Sequence, residues 1–138
     1  MHIVCHHCGA INRVPSSKQA ADATCGKCKQ PVLGKAPLAV NGGELARHLA
    51  KNDMPVVVDF WAPWCGPCLQ FAPTFAQAAA LYHGKMVFLK VDTQDQQMAA
   101  SEHNIRSIPT LAIFHQGKEQ KRLSGALPPG QFAQWLNT

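Results

Sequence analysis

Apolar positions form two almost continuous runs in the middle of the chain. The first, "PVVVDFWA" at residues 55–62, is bounded by prolines, and the second, "MVFLKVD", spans residues 86–92. Strands that are covered on both faces have this pattern, because neither face needs polar side chains. The two runs therefore predict buried strands near the centre of a sheet.

Helical patterns occur before, between and after these runs. In "NGGELARHLAKN", residues 41–52, Asn41 is placed as an N-cap and Glu44 as its capping-box partner. A second helix is expected from Cys65 to about His83, ended by Gly84, and a short third one in "DQQMAASEHN". The closing helix, "PGQFAQWLN", carries its apolar residues at helical spacing: Phe132, Trp135 and Leu136.

A hairpin is predicted in "TLAIFHQGKEQKRLSG", residues 110–125, with its turn near Gln116 and Gly117. The order is then an opening helix, a βαβα unit and a ββα unit. This order predicts an α/β fold with a central mixed sheet flanked by helices on both faces.

The first 29 residues have sparse hydrophobic positions and no helix-length periodicity. Such a segment cannot bury enough apolar surface to fold alone, so another element must hold it together. Residues 30–37, which contain two prolines and a glycine, predict a linker. We therefore expect a four-cysteine segment at 1–29, a linker at 30–37 and an α/β domain at 38–138.

Composition agrees with one packed domain and a small appendage. The chain has 138 residues, 46% of them hydrophobic. No apolar run approaches the roughly 18 residues that a membrane span needs. The N-terminus has no basic stretch followed by an apolar one, so it does not resemble a secretory signal. We expect a cytoplasmic monomer without a membrane partner.

The formal charge of +5 invites a nucleic-acid hypothesis. The excess lies in residues 1–36, which hold five basic residues and one acidic residue. Four thiolates bound to Zn²⁺ would reduce this excess further. The remaining basic patch is weak and typical of solvated surface, so no nucleic-acid partner is predicted.

All six cysteines occur in C-x-x-C pairs. Sixteen residues separate the pair Cys5 and Cys8 from the pair Cys25 and Cys28. Two such pairs at this spacing predict one zinc ion held by four thiolates in a closed tetrahedral site. His6 and His7 are expected at the surface, because four cysteines already complete the coordination. The alternatives are two disulfides or four free thiols.

The third pair, Cys65 and Cys68, follows a buried strand and begins a helix, and no further cysteine pair remains to share a metal with it. A helix N-terminus favours negative charge and so favours a thiolate. Pro67 is tolerated there, because its missing N–H has no partner to lose. We expect Cys65, on the exposed side, to attack a target disulfide and Cys68 to resolve the mixed disulfide.

The motif "WCGPC" and its context resemble the thioredoxin family over residues 37–138. With the four-cysteine segment included, the whole chain is similar to the zinc-binding second thioredoxins of bacteria. The resemblance implies a thioredoxin fold and a protein-disulfide reductase. It also implies cytoplasmic proteins with disulfides as targets, and re-reduction by an NADPH-dependent flavoprotein, thioredoxin reductase.

The resemblance also assigns roles near the cysteine pair. Asp59 is implied to be a buried carboxylate beneath Cys68, with a raised pKa, that takes a proton from the resolving thiol. Lys90 is implied to lie near Asp59 and to tune it. Pro109 matches a cis-proline that faces the disulfide, and Ile108 would offer its backbone for strand-like pairing with a target.

The remaining implied contacts border the docking groove. The residues are Trp64, Gly66, Pro67 and Gly125. Trp61 matches a family position too, and two roles stay open for it: bordering the groove or packing in the core.

Two other functions are compatible with the same residues. The chain can be a zinc-ribbon module that binds protein or nucleic acid, with the α/β domain as scaffold. Alternatively, the zinc site can sense oxidation, since bound thiolates remain oxidisable. The zinc segment itself can serve as a docking surface, a redox-sensitive clasp or a structural cap.

Overall fold

The computed structural model describes residues 1–138, and its elements follow the predicted order from residue 42 onward. The strands are β1 (His2–Val4), β2 (Ile11–Arg13), β3 (Leu38–Ala39), β4 (Val56–Trp61), β5 (Val87–Asp92), β6 (Thr110–His115) and β7 (Lys118–Ser124). The helices are α1 (Gly42–Lys51), α2 (Gly66–Leu81), α3 (Gln97–Glu102) and α4 (Pro129–Asn137). None of them has both the length and the apolar content needed to cross a membrane.

Five strands form the main sheet in the order β3-β5-β4-β6-β7. β4 runs parallel to β5 and antiparallel to β6, so the sheet is mixed. β4, the most apolar strand, occupies the centre, and five of its six residues are buried. The predicted α/β architecture with a central mixed sheet is confirmed.

Alternation along β4 explains why its sequence is apolar throughout. Val56, Val58 and Phe60 belong to one core cluster, which includes residues of α1 and α3. Val57 belongs to a second cluster, which includes residues of α2 and α4. Successive side chains of a strand point to opposite faces, so a strand between two helical layers needs hydrophobic residues at nearly every position.

The predicted capping box of α1 and the predicted hairpin turn are confirmed, whereas α2 ends at Leu81, before the predicted stop at Gly84. Asn41 Oδ1 accepts a hydrogen bond from the Glu44 amide at 2.8 Å, and Glu44 Oε1 accepts one from the Asn41 amide at 3.0 Å. Gln116 and Gly117, at the hairpin turn, have φ angles of +53° and +82°. A two-residue hairpin turn of type I′ requires positive φ at both central residues, and this is why glycine is favoured there.

The first 33 residues, here called the ribbon, form a small unit of their own secondary structure. β1 and β2 pair as an antiparallel hairpin, and a 3₁₀ turn follows at Ala20–Asp22. The apolar side chains of the ribbon do not form a separate core. Ile3 and Val14 belong to the same buried cluster as Leu45 and Leu49 of α1. The ribbon therefore completes the helical layer on one face of the sheet.

Val32 and Leu33, in the predicted linker, are buried in this shared cluster. The segment is therefore anchored through two of its side chains. The proposed division of the chain at residues 29 and 37 stays a prediction.

Hydrogen bonds attach the ribbon to α1 and to the residues between α1 and β4. The amide of Val4 donates to Asn52 Oδ1 at 2.9 Å, and the amide of Asp53 donates to the His2 carbonyl at 3.0 Å. Arg47 Nε donates to the Gly9 carbonyl at 2.6 Å. The third cysteine pair follows the other end of β4, about 20 Å away at the usual rise of a strand.

Candidate active site and metal centre

The third cysteine pair is joined as a disulfide at the start of α2. Cys65 is the N-cap residue, and its Sγ accepts a hydrogen bond from the Cys68 amide at 3.2 Å. Pro67 lies in the first turn, where its missing N–H leaves no hydrogen bond unmade. The helix N-terminus therefore directs an amide at the sulfur that the sequence predicts to carry negative charge.

The exposure of Cys65 differs from the prediction. Only 5% of Cys65 is accessible in this oxidised form, against 2% of Cys68, so neither cysteine lies openly on the surface. Cys65 is enclosed because it packs with Ala62, Cys68 and Ile108. Trp64, next to it in sequence, is 70% exposed. The surface beside the disulfide is therefore apolar and exposed at Trp64, whereas the sulfur of Cys65 is almost covered.

The loop before β6 approaches the disulfide from the other side. The Ile108–Pro109 peptide bond is cis, and the Ile108 carbonyl oxygen lies 3.8 Å from Cys65 Sγ. The amide of Gly125 donates to the Pro109 carbonyl at 2.8 Å, which brings the end of β7 to the same place. Pro109 itself is buried, whereas Ile108 is partly exposed.

Asp59 lies in the middle of β4 and is 1% exposed. Burial raises the pKa of its carboxyl to about 7, and the nearby positive charge of Lys90 opposes this rise. Its Oδ1 is buried and has no hydrogen-bond partner. Asp59 and Lys90 are paired across β4 and β5. Asp59 is thus a buried carboxyl group that changes charge near neutral pH.

Lys90 is held by an aromatic ring. Its Nζ lies 4.4 Å from the centroid of the Trp61 ring, within the range of a cation–π interaction. Trp61 also packs against the cluster of Cys65 and Cys68. The structure therefore gives Trp61 a contact with the lysine as well as core packing, one of the two roles that the resemblance leaves open.

The other four cysteines converge in the ribbon. The Sγ atoms of Cys5, Cys8, Cys25 and Cys28 all lie within 4.8 Å of one another. Cys5 Sγ is 3.7 Å from Cys28 Sγ, and Cys8 Sγ is 3.6 Å from Cys25 Sγ. Zn–S bonds of about 2.3 Å in a regular tetrahedron place sulfurs about 3.8 Å apart. The donor type and the spacing both fit zinc.

Amide groups around Cys25 also suit a metal-bound thiolate. Its Sγ accepts hydrogen bonds from the amides of Lys27 at 3.4 Å and Cys28 at 3.5 Å, and from Asn12 Nδ2 at 3.4 Å. The hydrogen bond from the Cys28 amide, followed by that from Asn12, lowers the pKa of Cys25 to about 5. Outer hydrogen bonds of this kind orient metal ligands and stabilise their deprotonated form.

The two histidines between the first cysteines behave differently from each other. His7 is exposed, as predicted. His6 is only partly exposed, because its Nδ1 accepts a hydrogen bond from the Gly34 amide at 3.1 Å and its Nε2 is buried. Its ring packs against His48 of α1, with ring centroids 5.9 Å apart. His6 therefore connects the ribbon to α1, and the expectation from ligand counting was wrong for it.

Three polar side chains near the site were not identified from sequence. Thr110 Oγ1 donates to the Ser107 carbonyl at 2.6 Å and contacts Ser124 Oγ at 3.1 Å. Arg122 donates to the carbonyls of His103 and Asn104. The alternating pattern of β7 places Arg122 and Ser124 on one face, but no motif indicates which carbonyl groups they meet.

Family comparisons agree with this geometry. Residues 36–138 match the model of the family described as "Thioredoxin". Residues 4–30 match the family described as "Thioredoxin 2, N-terminal", a zinc-ribbon model. The two matches cover the two cysteine centres separately.

Curated relatives extend over the same regions. "Thioredoxin C-3" of Corynebacterium nephridii is 42% identical over 137 residues, which are 99% of this chain and 94% of that protein. "Thioredoxin 1" of Nostoc sp. is 42% identical over 101 residues, 73% of this chain and 94% of that protein. The first match therefore includes the ribbon.

Solved structures support the fold. A Malassezia sympodialis thioredoxin superposes with a TM-score of 0.65 at 31% identity, over 72% of this chain and 86% of that one. A Plasmodium falciparum thioredoxin gives 0.67 at 33% identity, over 72% and 95%. Together with the disulfide at the head of α2, these matches identify a thiol–disulfide oxidoreductase that reduces protein disulfides. The chain belongs to the thioredoxin family.

Proposed function

We propose that the chain reduces disulfides of cytoplasmic proteins, with Cys65 as the nucleophile and Cys68 as the resolving thiol. The single observation that carries this proposal is the disulfide at the N-terminus of α2, where the Cys68 amide donates to Cys65 Sγ. That amide and the helix dipole stabilise a thiolate at Cys65 in the reduced state.

The reaction proceeds in two exchanges. The Cys65 thiolate attacks one sulfur of the target disulfide, a mixed disulfide forms, and the other target sulfur leaves as a thiolate. Cys68 then attacks Cys65 Sγ, the mixed disulfide breaks, and the second target thiolate is released. The target gains two electrons and the Cys65–Cys68 disulfide forms. An NADPH-dependent thioredoxin reductase would return the two electrons.

Asp59 is proposed to accept the proton of Cys68 during the second exchange. A carboxyl with a pKa of about 7 is suited to this task, since it can both accept and release a proton near neutral pH. Lys90 opposes the rise in that pKa and so tunes the base. The Trp61 ring holds the Lys90 ammonium group at 4.4 Å.

The target is proposed to dock on the open surface around the disulfide. Trp64, Gly66 and Pro67 are exposed on one side of it. Ile108 lies on the other side, where its backbone would pair with an extended target segment. Pro109 and Gly125, joined by the Gly125 amide, would fix the direction of that backbone.

The ribbon is proposed to hold one zinc ion per chain through Cys5, Cys8, Cys25 and Cys28. When bound, zinc would supply folding energy, because it cross-links two turns that lack a core of their own. The shared cluster with α1 favours a structural role for this centre.

Insulin reduction tests the proposal, with dithiothreitol as the electron source and with NADPH and thioredoxin reductase as the physiological one. Wild type should be active and Cys65→Ser inactive. Cys68→Ser should instead accumulate a mixed disulfide with the target, visible by mass spectrometry. Activity that survives in Cys65→Ser would refute the assigned nucleophile. The zinc-module alternative predicts instead that binding of its protein or nucleic-acid partner is little changed when Cys65 and Cys68 are replaced by serine.

A further inference from the structure

The segment between α3 and β6, here called the 103–109 loop, carries the backbone that faces the disulfide. Its Ile108 carbonyl lies 3.8 Å from Cys65 Sγ. The loop contains no helix or strand, yet its position relative to the disulfide must be kept for any target that pairs with Ile108. The groups that hold the loop therefore bear directly on target binding.

Arg122 of β7 holds the beginning of the loop. Its Nη2 donates to the His103 carbonyl at 2.7 Å, and its Nη1 donates to the Asn104 carbonyl at 3.2 Å. These carbonyls follow the last residue of α3 and lack partners within the helix, so a cation there is favourable.

Glu119 fixes the direction of the arginine. Its carboxylate accepts from Arg122 Nη2 at 2.7 Å and from Nε at 3.2 Å. Because a guanidinium group is planar, two contacts on one edge determine where the remaining N–H groups point. The ion pair thus aims Arg122 at the loop.

Ser124 of β7 holds the end of the loop through a relay. The Thr110 hydroxyl has one proton and donates it to the Ser107 carbonyl at 2.6 Å. The contact of 3.1 Å between the hydroxyls of Thr110 and Ser124 therefore has Ser124 as donor. The two strands are in register here, with Thr110 opposite Ser124.

We infer that Arg122 and Ser124 are positioning residues for target binding. One strand, β7, fixes the 103–109 loop at both ends, so that the backbone of Ile108 is presented to a target peptide at a set distance from Cys65. This inference deepens the proposed function and rests on it, since it takes Ile108 as the site of pairing.

The test compares a target that has a peptide backbone with one that has none. Insulin can pair with Ile108, whereas dithiobis(nitrobenzoate), a small aromatic disulfide, reacts at Cys65 without pairing. For Arg122→Gln we expect kcat/KM with insulin to fall about tenfold, mainly through a higher KM. The reason is that losing one hydrogen bond from a charged group weakens binding by about a factor of ten. The rate with the aromatic disulfide should stay within about twofold.

Three further variants complete the experiment. Arg122→Lys, which keeps a cationic donor, should recover part of the insulin activity. Ser124→Ala should lose about threefold with insulin only, because it removes one neutral hydrogen bond. Lys118→Gln, an exposed residue of β7 whose side chain makes no hydrogen bond, is the matched charge control and should resemble wild type.

The outcomes separate the inference from the proposed function. Parallel loss with both disulfides, or no loss with either, would overturn the positioning role while the reductase function stands. Wild type without insulin activity would overturn the function and the inference with it. If Arg122→Gln does not fold, Arg122→Lys and Ser124→Ala test the inference instead. The quantity compared is again the activity with insulin divided by the activity with the aromatic disulfide.

Discussion

The pairs Cys25–Cys28 and Cys65–Cys68 share their spacing and also share one hydrogen bond. In each, the amide of the second cysteine donates to the sulfur of the first, at 3.5 Å in the ribbon and 3.2 Å at α2. What differs is what lies next to them. Cys25 meets Cys8 of another pair at 3.6 Å, whereas the only cysteine that Cys65 meets is its own partner, and its other neighbours, among them Ala62 and Ile108, are not metal ligands. The local turn therefore prepares a thiolate in both places, and the neighbouring residues decide between a metal site and a redox disulfide.

The largest expected effect separates the two pairs by activity. Cys65→Ser should lower the rate of insulin reduction by at least about 10³-fold, because serine cannot act as the thiolate nucleophile. Zinc content should remain one per chain, measured by a chromogenic chelator after unfolding. Loss of zinc in this variant would show that the two centres are not independent.

A ribbon cysteine should have its main effect on stability. Cys8→Ser removes the most exposed of the four predicted ligands. We expect zinc to be lost and the free energy of unfolding of the whole chain to fall by about 5 kcal/mol or more, since the metal's binding energy is folding energy for the ribbon. Urea unfolding with and without a chelator measures this. Because the ribbon shares the core of α1, an unchanged midpoint would contradict the shared core.

The next effect depends on pH and arises at Asp59. Its pKa is about 7 in the folded chain, against an ordinary value of 3.8. Below about pH 4 the carboxyl is neutral in both states. As pH rises from about 4 to about 7, the unfolded chain loses a proton that the folded chain keeps, so stability falls, and above that range the deficit is constant.

Asp59→Asn should therefore stabilise the chain at about pH 8 by up to about 4 kcal/mol, and the gain should vanish below about pH 4. Urea unfolding at a series of pH values measures the gain in the free energy of unfolding and the pH at which this gain disappears. Glu102→Gln, an exposed carboxyl on α3, is the control. A gain that is independent of pH would rule out ionisation of Asp59 as its cause.

The smallest expected effect concerns the contact between ribbon and domain at Gly84. Its φ is +87°, and a Cβ there would lie 2.9 Å from Ala21 Cβ and 3.1 Å from the Ala21 amide nitrogen. Gly84→Ala should cost about 1–3 kcal/mol from strain and overpacking. Gly130→Ala in α4, where a Cβ meets nothing within 4 Å, should be neutral or slightly stabilising. Equal stability of the two variants would argue against the close contact with Ala21.

The main domain was predictable because its signals are local. The run Val56–Trp61, the capping box at Asn41 and the turn at Gln116 each follow from neighbouring residues. β3 was not predicted, because two residues, Leu38 and Ala39, carry no periodicity and are a strand only through pairing with β5. β1 and β2 were not predicted for the same reason, because each has only three residues.

Sequence motifs predicted those parts of the site that depend on neighbouring residues in the chain. The cysteines could be assigned from spacing and position, whereas the enclosure of Cys65 depends on Ile108, which is distant in sequence. Arg122 is one of four charged residues in "KEQKR", and nothing in this segment distinguishes it from the others. Only the folded structure shows that it contacts the carbonyls after α3. His6 likewise required the packing of α1 to be known.

The ribbon is attached beside Asp53, at the opposite end of β4 from the disulfide. The attachment of the ribbon and the exchange of disulfides therefore take place at different ends of this strand. A target held as a mixed disulfide next to Trp64 would therefore leave the attachment of the ribbon at His2 and Asp53 uncovered.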